Sequence, residues 1–160
     1  MKTFEAIVFD FDGTLVDSLE IKEVAFGILY KSYGEDIVNK VRAYHISNQG
    51  IPRSAKFRHW HENLLKLDYT EEIAEDLSCR FSELVFEAIS KAPLIKGVEK
   101  FLKKYHLKTH LFIASATPEP EIRKIVSNMG IDMFFRGVFG SPASKTEIIK
   151  HILSENDFNP

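Results

Sequence analysis

The opening of the chain limits its fold more than any other stretch. Phe4-Glu5-Ala6-Ile7-Val8-Phe9 is rich in β-branched and aromatic residues, and it stops abruptly at Asp10-Phe11-Asp12-Gly13-Thr14. A short apolar run that breaks into a turn reads as a buried strand. Two carboxylates two residues apart then stand just past that strand's carboxyl end. Open α/β sheets bind ligands there. Gly13 permits the turn that brings Asp12 to the same side as Asp10.

The rest of the pattern supports a parallel sheet. His110-Leu111-Phe112-Ile113-Ala114 is predicted as a strand ending at Ser115, and Phe135 to Phe139 as another, closed by Gly140. Thr117-Pro118 reads as an N-cap with proline at the first helical position, and Ile122, Ile125, Val126 and Met129 form that helix's apolar face. Ser144-Lys145-Thr146-Glu147 fits a capping box ahead of a helix buried through Ile148, Ile149, Ile152 and Leu153. Strands alternating with helices imply an α/β fold with a Rossmann-like parallel sheet.

Between the first two strands lies a different texture. Residues 16–92 read as helix after helix. Leu19, Ile21, Val24, Ala25, Ile28 and Leu29 make one stripe, with Gly34 as a stop. Thr70 caps a long helix bearing Ile73, Leu77, Phe81, Leu84, Val85 and Ile89. Asp17 and Ser18 are expected to cap the first of these helices. The organisation is therefore an α/β core of residues 1–15 and 93–160, interrupted by an all-helical insert over 16–92.

The two acids can do complementary chemistry. Asp10 can attack phosphorus and become an aspartyl phosphate. Asp12 can protonate the leaving oxygen and then help deprotonate the water that releases phosphate. A carboxylate approaching an anionic ester needs its repulsion cancelled, and a hard cation such as Mg2+ does that.

Asp10-Phe11-Asp12-Gly13-Thr14-Leu15-Val16-Asp17-Ser18 resembles the first motif of the haloacid dehalogenase superfamily, Asp-x-Asp-x-Thr. The resemblance is to its members with a helical cap, such as phosphoglycolate phosphatase and β-phosphoglucomutase. It makes Asp10 the nucleophile, Asp12 the acid/base, and Asp10 with the backbone carbonyl of Asp12 the metal ligands. It favours phosphoryl transfer over dehalogenation, because a halide leaves without a proton. The family's second motif matches at Ser115, with the N–H of Ala116 beside it for phosphate. Its third matches at Lys145, ahead of Lys150 and Lys124. The insert corresponds to the cap, and Gln49-Gly50-Ile51-Pro52-Arg53 to its substrate-facing loop, with Arg53 as a specificity candidate.

Relatives continue with a fourth strand and an acidic loop, whereas this sequence ends at Ser154-Glu155-Asn156-Asp157-Phe158-Asn159-Pro160. Asp157 follows no β run, and Glu147 and Glu155 fall on the last helix. The expectation is a sheet incomplete at its C-terminal side, weak metal affinity, and an apolar edge along residues 4–9 open to self-association. The expected activity is a phosphatase acting on a small phosphorylated metabolite. The alternatives are a phosphomutase of the same family or a truncated, inactive chain.

Composition excludes other classes. A formal net charge of -2 gives nothing to attract nucleic acid, and no apolar run approaches a membrane span. One cysteine, Cys79, can form neither an internal disulfide nor a Cys-based zinc site. The six histidines form no metal-binding pattern, and His59 and His61 are expected in core or solvated roles. A cytoplasmic protein is the default.

Overall fold

The computed structural model describes residues 4–158. The chain divides into two compact units: one takes the residues up to Ser18 and from Ser90 onward, the other Leu19–Ile89.

The first unit is built on three parallel strands: β1 (Ala6–Phe9), β2 (His110–Pro118) and β3 (Gly137–Ser141), in the order β1-β2-β3. Parallel neighbours need a crossover. The helical unit and α5 (Val98–Tyr105) lie between β1 and β2, and α6 (Glu119–Asn128) between β2 and β3. α7 (Lys145–Asn156) follows β3. This is a Rossmann-like sheet with a helical insertion after its first strand.

Side chains alternate across the sheet with the period of two that strands impose. Phe112 and Ala114 join Ile148 and Ile152 of α7 in one core cluster, with Ala6, Val8, Phe139 and Phe158 packed against it. On β1, Phe9 makes edge contacts with Phe101 and Phe135. Leu111, Ile113, Ile122, Ile125 and Val126 are all buried.

Several boundaries differ from the sequence reading. β1 begins at Ala6, and Phe4 is 68% exposed. β2 runs on through Ser115 and Thr117 to Pro118, which pairs with Ser141 and is itself the N-cap of α6. Thr117 is therefore a strand residue; the helix-starting proline is Pro120, in the first turn of α6. β3 starts two residues later than expected, because Asp132–Phe134 form a 3-10 turn first. Gly140 lies inside β3 and does not close it.

The second unit is helical throughout: α1 (Leu19–Leu29), a 3-10 turn, α2 (Glu35–Ser47), α3 (Arg53–His59), a π-helical turn over Trp60–Leu65, and α4 (Glu71–Ser90), whose last residue joins the first unit. Its core is aromatic. Phe26 stacks on Phe81 at 4.2 Å and meets Trp60 at 5.0 Å and Phe57 at 5.8 Å. Lys56 is buried in this core with its Nζ 2.9 Å from Nδ1 of His45. His61 is buried too, its Nδ1 3.1 Å from the Tyr30 hydroxyl. Burial pushes the Tyr30 phenol well above its usual range, so it stays neutral. The apolar stripes are narrower than the sequence implied, since Val24, Ile28, Leu84 and Ile149 are exposed. No helix of the described residues is long and apolar enough to cross a membrane.

Candidate active site

β1 delivers Asp10 to the carboxyl end of the sheet, and the chain then closes into a tight loop. The carbonyl of Phe11 accepts the N–H groups of Thr14, Leu15 and Val16, and Gly13 donates to the Val16 carbonyl at 2.9 Å. Gly13 has φ 71°, a left-handed conformation that glycine adopts without a steric penalty. Phe11, Leu15 and Val16 anchor the loop by burial. Asp17 N–H reaches the Pro93 carbonyl and Ile95 N–H the Leu15 carbonyl, so the loop is also stitched to the segment returning from the helical insert.

Within this loop Asp10 and Asp12 have different partners. Oδ1 of Asp10 accepts the N–H of Phe11 at 2.8 Å, and Oδ2 meets Nζ of Lys145 at 2.7 Å. Both side chains of that ion pair remain partly open to solvent, at 40% and 39%. Oδ1 of Asp12 accepts the hydroxyl of Ser18 at 2.7 Å. Ser18, the expected cap of α1, gives its hydroxyl proton to Asp12, which leaves its oxygen able to accept a helix N–H.

Lys145 owes its place to α7. It is the first residue of that helix, directly after the N-cap Ser144. The capping box is complete: Ser144 Oγ accepts from Glu147 N–H, and Glu147 Oε2 accepts from Ser144 N–H. That pairing holds the Glu147 carboxyl below its usual range, chiefly through the Ser144 N–H.

Ser115 lies beyond Ile113, the β2 partner of Phe9. The β2–β3 register is broken between Ala114 and Pro118, so Ser115, Ala116 and Thr117 lie in an irregular stretch. Bulges of this kind re-aim backbone groups near functional sites. Ser115 is buried and its Oγ accepts the N–H of Thr117 at 3.1 Å, which leaves the hydroxyl proton to donate elsewhere. β3 packs tightly on the far side. A Cβ at Gly140 would lie 2.4 Å from the Thr117 carbonyl and 2.7 Å from the Glu119 backbone. Gly140 N–H donates to Oε2 of Glu119 at 3.2 Å.

The sequence of residues 4–155 matches the family of haloacid dehalogenase-like hydrolases. The chain belongs to that family. No curated protein matches this HAD-like hydrolase. Among solved structures it is similar to CbbY from Rhodobacter sphaeroides in complex with xylulose-1,5-bisphosphate, at TM-score 0.75 and 17% identity over 98% of this chain and 74% of that one. It is also similar to a predicted phosphoglycolate phosphatase from Haemophilus somnus, at TM-score 0.72 and 19% identity over 99% and 74%. The magnesium-bound HAD hydrolase YfnB from Bacillus subtilis matches at TM-score 0.68 and 17% identity over 99% and 75%. At such identities the likeness shows the fold alone.

Arg53, the candidate from the helical insert of this HAD-like hydrolase, belongs to the other compact unit. It opens α3, and its guanidinium donates to the hydroxyls of Ser78 and Ser82 at 3.0 and 2.9 Å while lying over Phe81. The contact that sequence reasoning missed is the one from Ser18 to Asp12. A hydroxyl six positions after an acid carries no pattern of its own, and only the closed loop brings the two together.

Proposed function

We propose that the chain is a phosphatase acting on a small phosphorylated metabolite through an aspartyl phosphate on Asp10. The observation that carries this reading is the contact of Lys145 with Asp10 at the carboxyl end of β1. A cation fixed on a strand-tip carboxylate marks a place where a dianionic phosphate can be drawn towards a nucleophile.

The residues divide the work. A carboxylate oxygen of Asp10 forms a bond to phosphorus as the ester P–O bond breaks, and Asp12 gives its proton to the departing alcohol oxygen. Water then attacks the aspartyl phosphate, passes a proton to Asp12, and releases inorganic phosphate with Asp10 restored. Lys145, the Ser115 hydroxyl and the Ala116 N–H receive the phosphate oxygens. The helical unit acts as a cap, with Arg53 a candidate for contact with the rest of the substrate.

Mg2+ suits the donors present. The Asp10 carboxylate and the Asp12 carbonyl are hard oxygen ligands, and Mg2+ commonly binds through one or two carboxylates while water and substrate phosphate fill its other positions. When bound, it neutralises charge on the transferring phosphoryl group. No group of three or more acidic, histidine or cysteine side chains is assembled for a metal among the described residues. The reading therefore places substrate phosphate among the ligands and implies modest affinity without it. We place the activity in the cytoplasm, where Cys79 would persist as the exposed free thiol it is.

The test is phosphate release from simple phosphate esters with and without Mg2+, using the chain and its Asp10→Asn variant. Mg2+-dependent release abolished by the substitution is expected. Full activity of Asp10→Asn, or no turnover by the unaltered chain, overturns the reading. Transfer of the phosphoryl group to a sugar hydroxyl in place of water would mark a mutase.

A further inference from the structure

The three most exposed large apolar side chains among the described residues share one edge of the sheet: Leu107 at 87%, Met133 at 76% and Phe4 at 68%. Phe4 stands two residues before β1, Leu107 three before β2 and Met133 four before β3. The strands are parallel, so their amino ends lie together, opposite the carboxyl end that carries Asp10. Hydrogen bonds draw the lead-in segments side by side. His110 N–H donates to the Glu5 carbonyl at 3.0 Å, and Arg136 N–H to the Leu111 carbonyl at 2.8 Å. The rings of His106 and Phe134, each next to one of the exposed residues, meet at 5.1 Å. Leu107 and Met133 also sit on ordered turns, closed by Lys108 and Thr109 N–H on the Tyr105 carbonyl and by Phe135 N–H on the Asp132 carbonyl. Apolar surface is thus held out in water at a cost that burial would recover.

The same edge is basic. Lys104 lies in the last turn of α5, Lys108 follows Leu107, and Arg136 precedes β3; all three are exposed. Against them stand Glu5 and Asp132. Residues 91–110 hold six lysines and a single acid, Glu99, although the formal net charge of the chain is -2. A protein partner favours a continuous patch whose centre is poor in charge. Here apolar tips stand singly on separate turns, among cations. That pattern suits an anionic phospholipid surface: the tips enter the boundary between headgroups and acyl chains, and the cations meet the headgroup phosphates.

We propose that this amino-end edge of the sheet docks reversibly on an anionic phospholipid surface, with Leu107 and Met133 inserted and the Asp10 end of the sheet directed away from it. The experiment floats the full chain with vesicles of phosphatidylcholine alone or mixed with phosphatidylserine. Binding to the mixed vesicles, weakened by salt, is expected, with little on phosphatidylcholine alone. Lys104→Gln/Lys108→Gln should weaken it roughly 25-fold, at about fivefold for each charge lost. Lys31→Gln/Lys40→Gln, the same charge loss at exposed positions of the helical unit, should retain it. Leu107→Ser/Met133→Ser should weaken it by roughly 10-fold or more. Leu107→Trp should be quenched by lipids with brominated acyl chains, whereas the parent, whose one tryptophan is the buried Trp60, should not. No binding to the mixed vesicles overturns the proposal. Equal weakening by both lysine pairs, which marks diffuse attraction, overturns it too, as does unchanged binding of Leu107→Ser/Met133→Ser. Binding of a single-stranded RNA in place of vesicles, lost in Lys104→Gln/Lys108→Gln, would assign the edge to nucleic acid and overturn it as well. Circular dichroism checks that each variant folds.

Discussion

Nζ of Lys145, at the first position of the last helix, lies 2.7 Å from Oδ2 of Asp10, at the tip of the first strand. The two residues come from opposite ends of the chain and meet because β1 and α7 share the β2 face, where Ala6 and Val8 pack with Ile148 and Ile152. A point charge held there by a helix start is suited to receive a phosphate oxygen beside the proposed nucleophile.

Replacing the cation should therefore disable chemistry without unfolding the protein. Lys145→Met is expected to lower phosphate release about 100-fold or more, the range typical of losing a preorganised electrostatic contact. Its melting temperature should remain close to the parent value, since the pair is partly solvated and such pairs contribute little to stability. Steady-state kinetics and a thermal melt check both halves. A retained rate would remove Lys145 from the site.

The helix cap is a separate determinant. Ser144→Ala removes the N-cap hydroxyl of α7 and should cost about 1 kcal/mol, the usual value for such caps. Urea denaturation measures it. Because Lys145 is the next residue, activity should fall as well, and Ser144→Asp should recover stability.

Acid should loosen the same cap. The Glu147 carboxyl is held below its ordinary value of 4.5, so its contribution is fully present above that value. It is lost as pH falls through the lowered folded value. Glu147→Gln should flatten this acid dependence of stability. Unfolding curves between about pH 6 and 3, which bracket the carboxylate range, compare the two proteins. Identical slopes would show that the cap carries no pH dependence.

The helical unit depends on Phe26, which is 2% exposed and touches Phe57, Trp60 and Phe81. Phe26→Ala should destabilise by roughly 3–5 kcal/mol, the range for deleting a buried aromatic ring. Intrinsic fluorescence of Trp60, the one tryptophan, reports this unit directly.

The outer side of β1 has no strand partner among the described residues. Unpaired strand edges invite pairing with a second chain. The chain is expected to self-associate reversibly, which sedimentation velocity over a range of concentrations would detect. A monomer at the highest concentration would refute it.

The fold class was legible because two periods coexist in the sequence. Ile7, Val8 and Phe9 read as strand, whereas Leu77, Phe81 and Val85 recur at helical spacing. The capping box at Ser144 and Glu147 was legible because it is local. What escaped was set by tertiary contact. Pro118 looks the same to sequence reasoning whether it opens a helix or ends a strand, and pairing with Ser141 decides the matter. The stripe on α1 was read too broadly, since Val24 and Ile28 are apolar but exposed. Ser18 was read only from its position before a helix, and its hydroxyl also donates to an acid across a turn.

The crowding around Gly140 sets a rule for anyone who redesigns this protein. Even alanine there would drive a methyl group into the peptide backbone where β2 passes into α6, at Thr117 and Glu119. A mutagenesis library should leave that codon alone. Swapping the 115–119 segment for another sequence should succeed only where the replacement's main chain runs equally close to a hydrogen in place of a side chain.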